Sequence, residues 1–320
     1  MSAELLMVEQ RRGSDDAAHW IREGGQTVAG RDSNRRLDAL RAGLVRHRGV
    51  RPVAADAADE ALERTLGAMH EPGYLEALRG LDPGEPVVMP DFAPPGLEPD
   101  IPVDAGLVAA AHEGVRTAIT AAQRLAAGAR FTYAVCRPPG HHAGPGFLGG
   151  YCYLNNAAAA VRTLREAGLT PVGILDLDLH YPNGTAALVE SMEDATLHSL
   201  HSSPVTNVAA GTVLPQAESE RVVAFATSPD AAAYLGEVAA SVEALAADAA
   251  ALVVSLGYDT VAGDPHGCWS FAPRMFTEVG RLLAASGRPV CMIQEGGYSL
   301  PDLAACSEAF AAGLLGEGPA

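Results

Sequence analysis

The sequence predicts an α/β domain wound around a parallel sheet, and three observations carry that expectation. The chain has 320 residues, 48% of them hydrophobic and 19% charged, enough to bury a large core and too apolar for a disordered chain. Short apolar runs alternate with longer Ala/Leu/Arg-rich stretches, the order of strands and crossover helices. The short runs are continuously apolar rather than alternating, as strands covered on both faces are.

Taken in order, the runs predict strands at Leu5–Glu9, Val50–Ala54, Thr132–Cys136, Val172–Asp178, Thr196–His201, Val222–Ala226, Leu252–Tyr258 and Val290–Gln294. Helical spacing appears between them at Asn34–Arg46, Ala105–Ala127, Ala157–Ala167, Asp230–Ala247 and Arg274–Ala285. The Pro/Gly/Asp-rich stretch Leu81–Val103 reads as a long surface loop. The helices on either side of it read as parts of one domain, so residues 1–320 form a single unit without internal repeats.

Charge narrows the partners. Lys+Arg total 22 against 39 Asp+Glu, a net charge of −17. A nucleic-acid binder needs a basic face to displace counterions, and an anionic membrane surface needs the same, so neither partner is expected. All the basic side chains are Arg, which with the abundance of Ala reads as the codon bias of a GC-rich bacterial genome. The five cysteines (Cys136, Cys152, Cys268, Cys291, Cys306) form no CxxC pair and read as reduced thiols. The N-terminus has no signal pattern, and Asp248 interrupts the best apolar stretch. A cytoplasmic location follows as the expectation; a homo-oligomer is left open.

The chemistry-bearing segments all follow predicted strands: RPPGHHAGPG, DLDLHYPNGT, GYDTVAGDPHG and EGGYS. Ligands of open parallel sheets bind outside the carboxyl ends of strands, so four loops are expected to converge. Asp176, Asp178 and His180 alternate, which puts them on one side of the chain with Leu177 and Leu179 on the other. Two carboxylates and an imidazole buried together call for a cation, and Zn2+ accepts such ligands. The blander alternative has one Asp capping the next helix and the other bonding a loop. Asp259 offers a third ligand, while Asp264 fits a turn as well as a ligand. His141 and His142 follow a Pro-Pro-Gly turn and suit a general acid/base couple. Asp176 would hold one of them charged, and the amide of Asn183 would leave the other more nearly neutral. Tyr298, after two glycines, suits either packing or a hydrogen bond to a developing oxyanion. Asn155 or Asn156 would cap the following helix. Cys152, His19, His47, His70 and His112 read as packing or surface residues. Neither a GxSxG elbow nor a phosphate-binding Gly-rich loop is present.

The segments RPPGHHAGPGFLGGYCYLNN, LDLDLHYPNGT, SLGYDTVAGDP and QEGGYS, in this order, resemble the zinc-dependent histone deacetylase family. The nearest look is to bacterial acetylpolyamine amidohydrolases and class II-like deacetylases, with HEPGYLEAL around Leu75 fitting the same pattern. The resemblance runs from about Arg35 to about Leu315. It implies the arginase–deacetylase fold, one α/β domain around an eight-stranded parallel sheet. It also implies zinc ligands at Asp178, His180 and Asp259, and His142 as the general base. His141 paired with Asp176, Asn183 orienting His142, and Tyr298 on the oxyanion follow by the same resemblance. Gly149, Gly150 and Tyr151 would line the acyl tunnel, and His266 would stand at its mouth. A structural K+ would be held at Asp176, Asp178, His180, Ser199 and Leu200.

Four departures shape the expectations. Tyr181-Pro182 stands where the family usually has His-Gly, so the loop holding Asn183 is expected to differ. SSPVTNVAAG has no aromatic to match the usual second tunnel wall, so the site is expected to be wider or to be shaped by another loop. The long insertion of acetylpolyamine enzymes is missing, and His266 has no particular attraction for a polycation. The leading expectation is a zinc amidohydrolase that removes an acyl group, acetyl first, from a small N-acylated amine. A protein acetyl-lysine deacylase, a deacetylase of a secondary metabolite and an inactive ligand-binding relative stand as alternatives. A binuclear ureohydrolase would need a richer carboxylate–His cluster.

Overall fold

Each of the eight apolar runs forms a strand, and the eight make one sheet in which every pairing is parallel. The computed structural model describes residues 4–12, 19–23, 26–83, 86–99, 101–203 and 220–316. In chain order the strands are β1 Leu5–Glu9, β2 Trp20–Glu23, β3 Gln26–Ala29, β4 Val50–Ala54, β5 Phe131–Val135, β6 Val172–Asp176, β7 Ala195–Ser202, β8 Glu220–Phe225, β9 Ala251–Leu256 and β10 Val290–Gln294. The sheet runs β4-β1-β5-β10-β9-β6-β7-β8; β2 and β3 form a separate antiparallel hairpin. Pro52 sits on β4, an edge strand, where a missing N–H leaves no ladder bond unmade.

Among the described residues the helices are α1 Asn34–Leu44, α2 Asp59–Met69, α3 Pro72–Arg79, α4 Ala105–Ala126, α5 Asn156–Glu166, α6 Asn183–Val189, α7 Ala231–Asp248, α8 Met275–Ala285 and α9 Leu300–Leu315. Capping fixes several starts: Asp104, Asn155 and Asp230 accept the N–H groups of Leu107, Ala158 and Ala233, each at 2.8 Å. Alternate strand residues divide between two cores. Phe131, Tyr133 and Val135 pack with α1, α7, α8 and α9, whereas Ala134 and Cys136 pack with α4, α5 and α6. Burying each large aliphatic or aromatic side chain contributes about 1.5–3 kcal/mol. Where α8 and α9 cross, a Cβ on Gly313 would fall 2.0 Å from the carbonyl oxygen of Thr277, so only glycine permits that approach.

Four of the expected strands, β5, β6, β8 and β9, end one or two residues early. β6 stops at Asp176 rather than Asp178, because side chains take over the backbone bonding. Asp176 Oδ1 accepts the N–H of Asp178 at 3.1 Å, and Asp178 Oδ1 accepts that of His180 at 2.9 Å. The alternation nevertheless persists, with Leu177 and Leu179 both in the core beneath. The Leu81–Val103 stretch is mostly irregular, carrying one 3₁₀ turn at Pro90–Phe92 and a Val87–Val103 bridge.

Candidate active site

Strands β5, β10, β9 and β6 are consecutive neighbours in the sheet. The four segments that follow them, starting at Cys136, Glu295, Gly257 and Leu177, therefore meet at one place above their carboxyl ends.

The β6 and β9 segments bring Asp178, His180 and Asp259 together. His180 Nδ1 lies 3.0 Å from Asp178 Oδ1 and 3.0 Å from Asp259 Oδ2. One donor atom from each residue falls within 4.8 Å of the others. The remaining oxygens are bound from behind: Gly296 N–H donates to Asp178 Oδ2 at 2.9 Å and Leu179 N–H to Asp259 Oδ1 at 3.1 Å. Asp259 Oδ2 is buried and faces the His180 ring nitrogen. Glycines make room for the carboxylates. A Cβ on Gly257 would fall 2.3 Å from Asp178 Oδ2, and one on Gly296 would fall 2.7 Å from both carboxylates. This donor set, two carboxylate oxygens and one imidazole nitrogen within 4.8 Å of one another, fits a divalent metal.

The electrostatics agree. Burial would depress His180, but hydrogen bonds and charge from Asp178 and Asp259 push it up to about 10. Burial and the charge of Asp178 push Asp259 up to about 7, while Asp178 is held low because the charges of His141 and His180 outweigh its burial. A proton on His180 offsets the clustered negative charge that a metal would otherwise neutralise.

His141 and His142 lie side by side, ring centroids 4.1 Å apart, on a turn that opens with a cis Arg137–Pro138 peptide. His141 Nδ1 is 3.3 Å from Asp176 Oδ2, and His142 Nδ1 is 2.7 Å from Asn183 Oδ1. Burial would lower His141, but Asp178 and Asp176 raise it to about 10. Burial, with positive charge at His141 and His180, holds His142 well below its ordinary value. The two shifts run in opposite directions, favouring charge on His141 and a neutral ring at His142.

Tyr181-Pro182 does not break this arrangement. Pro182 takes the N-cap position of α6, where its missing N–H costs nothing, and Asn183 follows in place. Tyr181 turns away to donate to Glu220 at 2.7 Å and packs on His201. With Tyr181-Pro182 in this loop, Asn183 Oδ1 still lies 2.7 Å from His142 Nδ1.

Tyr298 is half-buried, its ring 5.5 Å from that of Tyr151 and 4.8 Å from His266, with the Arg36 guanidinium 4.7 Å from its centre. Burial raises its phenol well above the usual range, leaving it a hydrogen-bond donor. Tyr151 meets His266, its hydroxyl 3.2 Å from His266 Nε2. Gly149 and Gly150 form the turn that carries it. Gly149 and Cys152 exchange backbone bonds, while Gly150 and Tyr151 both have positive φ, 55° and 66°. Of the residues expected around K+, Ser199 is the β7 register partner of Asp176. Asp176, Ser199 and Leu200 are fully buried. Ser199 Oγ engages His201 Nδ1 at 2.9 Å. The segment in which the second tunnel aromatic was sought lies, from Pro204 on, outside the described residues.

Glu295 escaped the sequence reading, and the contacts of several other residues that hold the site emerge only in the fold. Glu295 is fully buried, and its Oε2 accepts N–H from Gly140 at 2.6 Å and His141 at 3.1 Å. The signal was a Glu closing the β10 strand directly before the glycines. Asn155 proves to be the α5 cap and also donates to the Ala143 carbonyl; Asn156 donates to that of Pro138. His70, held to about 4 by burial, bonds the Gly144 carbonyl at 2.8 Å as a neutral structural ring. Asp264 is no ligand: it accepts N–H from Tyr298, Ser299 and His266.

Comparison with known proteins points the same way. The family described as "Histone deacetylase domain" matches residues 31–314. An acetylpolyamine amidohydrolase of Mycoplana ramosa is 36% identical over 211 residues, covering 63% of this chain and 61% of that protein. One from Burkholderia pseudomallei is 33% identical over 284 residues, covering 84% and 77%. Histone deacetylase 15 of Arabidopsis thaliana is 32% identical over 200 residues, 58% of this chain and 36% of that protein. With the first of these relatives the chain shares about three-fifths of their length, 61%. A crystal structure of a B. pseudomallei acetylpolyamine aminohydrolase superposes with a TM-score of 0.80 at 23% identity, covering 97% of this chain and 98% of that one. The sheet, the four converging loops and a match over nearly the whole length place this chain in the histone deacetylase domain family.

Proposed function

We propose that the protein is a zinc-dependent amidohydrolase that removes an acyl group, acetyl first, from the amine of a small metabolite. The observation that carries this reading is the pair of unlike histidines beside the Asp178/His180/Asp259 cluster. Asp176 keeps His141 charged, and Asn183 orients a neutral His142.

Asp178, His180 and Asp259 would hold the ion, with K+ the expected partner of Asp176, Asp178, His180, Ser199 and Leu200. Bound there, zinc would supply Lewis acidity to the amide carbonyl and bring a water's pKa to roughly 7. Neutral His142 accepts the proton of the attacking water through Nε2, because Nδ1 is engaged by Asn183. Cationic His141 adds positive charge beside the oxyanion, and the protonated Tyr298 hydroxyl donates to it. His142 then returns the proton to the departing amine. Tyr151 and His266 stand together beside Tyr298 and would meet the substrate chain.

Acetylpolyamine amidohydrolases among the relatives support a small acylated amine, and the histone deacetylase relative supports acetyl-lysine as the second reading. Zinc-loaded protein assayed on acetylated diamines, acetyl-lysine peptides and neutral N-acetyl amines tests both. The expected result is turnover of an acetylated small amine, falling about 100- to 1000-fold in Tyr298→Phe with zinc retained. Preference for the peptides would install the second reading. Near-parental turnover in Tyr298→Phe would overturn the mechanism.

A further inference from the structure

A second set of ligating atoms, sharing only His141 with the scheme above, lies against the His141–His142 turn. A ring nitrogen of His141, the sulfur of Cys152 and a carboxylate oxygen of Glu295 lie within 4.8 Å of one another, and all three residues are buried. Glu295 Oε2 is used by the backbone of Gly140 and His141, but Oε1 is buried with no hydrogen-bond partner among the described residues. An unpaired buried carboxylate oxygen is costly, and a cation beside it removes that cost.

The backbone goes to some length to bring Cys152 here. The Gly149–Cys152 turn places a tyrosine at a φ of 66°, a region that bulky side chains avoid. The turn sends the Tyr151 ring to Tyr298 and His266 and leaves the next side chain, Cys152, fully buried beside Glu295 and His141.

Sulfur, imidazole nitrogen and carboxylate oxygen form a softer donor set than Asp178, His180 and Asp259, and one that suits Zn2+ and similar thiophilic ions. We propose that His141, Cys152 and Glu295 form a second metal site that shares His141 with the reaction centre and stops turnover when it fills. A coordinated His141 has a ring nitrogen tied to the second metal and is no longer free to serve the reaction centre. Filling the site also releases the Cys152 proton, so it fills after the first site. The inhibition rests on the amidohydrolase reading; the metal site does not.

The test titrates the metal-free full-length protein with Co2+ under argon, following absorption and counting bound metal. The first equivalent, held by oxygen and nitrogen, gives no sulfur-to-cobalt charge-transfer band. The second brings that band in the near ultraviolet. Cys152→Ser and Cys152→Ala lose both the band and one bound equivalent, while Cys268→Ser, at the exposed cysteine, keeps both. Glu295→Gln still accepts the Gly140 and His141 N–H groups, and it weakens the second equivalent by about tenfold or more. A parent protein that binds one equivalent, a second equivalent without the band, or a band that survives both Cys152 variants would each overturn the site. Assays with excess Zn2+ complete it: inhibition in the parent that is relieved in Cys152→Ser supports the shared histidine. Turnover indifferent to excess Zn2+ overturns the inhibitory role. A Cys152-dependent band in a protein without any turnover would sink the hydrolase reading and keep the site.

Discussion

Tyr298 is held by Asp264: the carboxylate Oδ2 accepts the Tyr298 N–H at 2.6 Å and that of Ser299 at 3.0 Å, while Oδ1 accepts the His266 N–H at 2.9 Å. One buried side chain thus joins the loop after β9, which carries Asp259, to the loop after β10, which carries Tyr298. The distance between the metal cluster and the phenol is set partly by this clasp.

Replacing Asp264 with Ala is therefore expected to misplace Tyr298 without removing any ligand. A shift of about 1 Å at a reacting group can cost on the order of 100-fold in rate, so kcat should fall about 10- to 100-fold at unchanged metal content. Asp264→Asn, which keeps one acceptor oxygen, should fall between the two. Loss of zinc in step with activity would instead make Asp264 a support of the metal cluster.

Metal affinity should depend steeply on pH. In the metal-free site the His180 proton is shared with Asp178 and Asp259, which hold it to about 10 against the effect of burial. A metal must displace that proton, so affinity rises as pH rises, by up to about tenfold per unit below 10. Asp259, pushed up to about 7, adds a second proton and a steeper slope on the acid side. Calorimetry in buffers of different ionisation enthalpy should count about one proton released at pH 8. A pH-independent affinity would contradict the arrangement.

Most of this framework was legible in the sequence, for a physical reason. Strands such as Ala251–Leu256 and Val290–Gln294 are covered on both faces, so their apolar runs announce them. The β2–β3 hairpin was not legible: its strands are four residues long, and β3 is mostly exposed, with little apolar pattern. The Asp178, His180 and Asp259 cluster was legible because Asp and His gathered at strand ends stand out against apolar runs. The residues that support them were not. Glu295 acts on Gly140, 155 positions away, and Asp264 on Tyr298, 34 positions away. No local pattern encodes either partnership.

Gly296 makes a related point about space. A Cβ there would sit 2.7 Å from the carboxylates of both Asp178 and Asp259, and the Gly296 N–H is itself bonded to Asp178. Gly296→Ala should push the two carboxylates apart and weaken metal binding by about 10- to 100-fold, the scale seen when groups behind metal ligands are altered. Equilibrium dialysis measures this directly. An unchanged affinity would mean that the backbone after β10 yields more easily than its neighbours suggest.

Glu295→Gln separates what the carboxylate does by shape from what it does by charge. The glutamine carbonyl still accepts the Gly140 and His141 N–H groups, so the turn should keep its geometry. The charge is another matter. Burial, reinforced by Asp176 and Asp178 and opposed by His141, raises Glu295 from 4.5 to about 8. Between those values the folded chain keeps a proton that the unfolded chain has released. The contribution of Glu295 to stability is thus fully present below about 4.5 and is lost as pH rises through about 8. Glutamine has no such loss. In the metal-free protein, the stability of the variant relative to the parent should grow between pH 5 and 8, by on the order of a few kcal/mol, and level off above. Other titrating groups act in both proteins and largely cancel in the difference. Paired denaturant melts at each pH give the sign: a flat or falling difference would mean that the buried carboxylate is already neutralised by a partner within the fold.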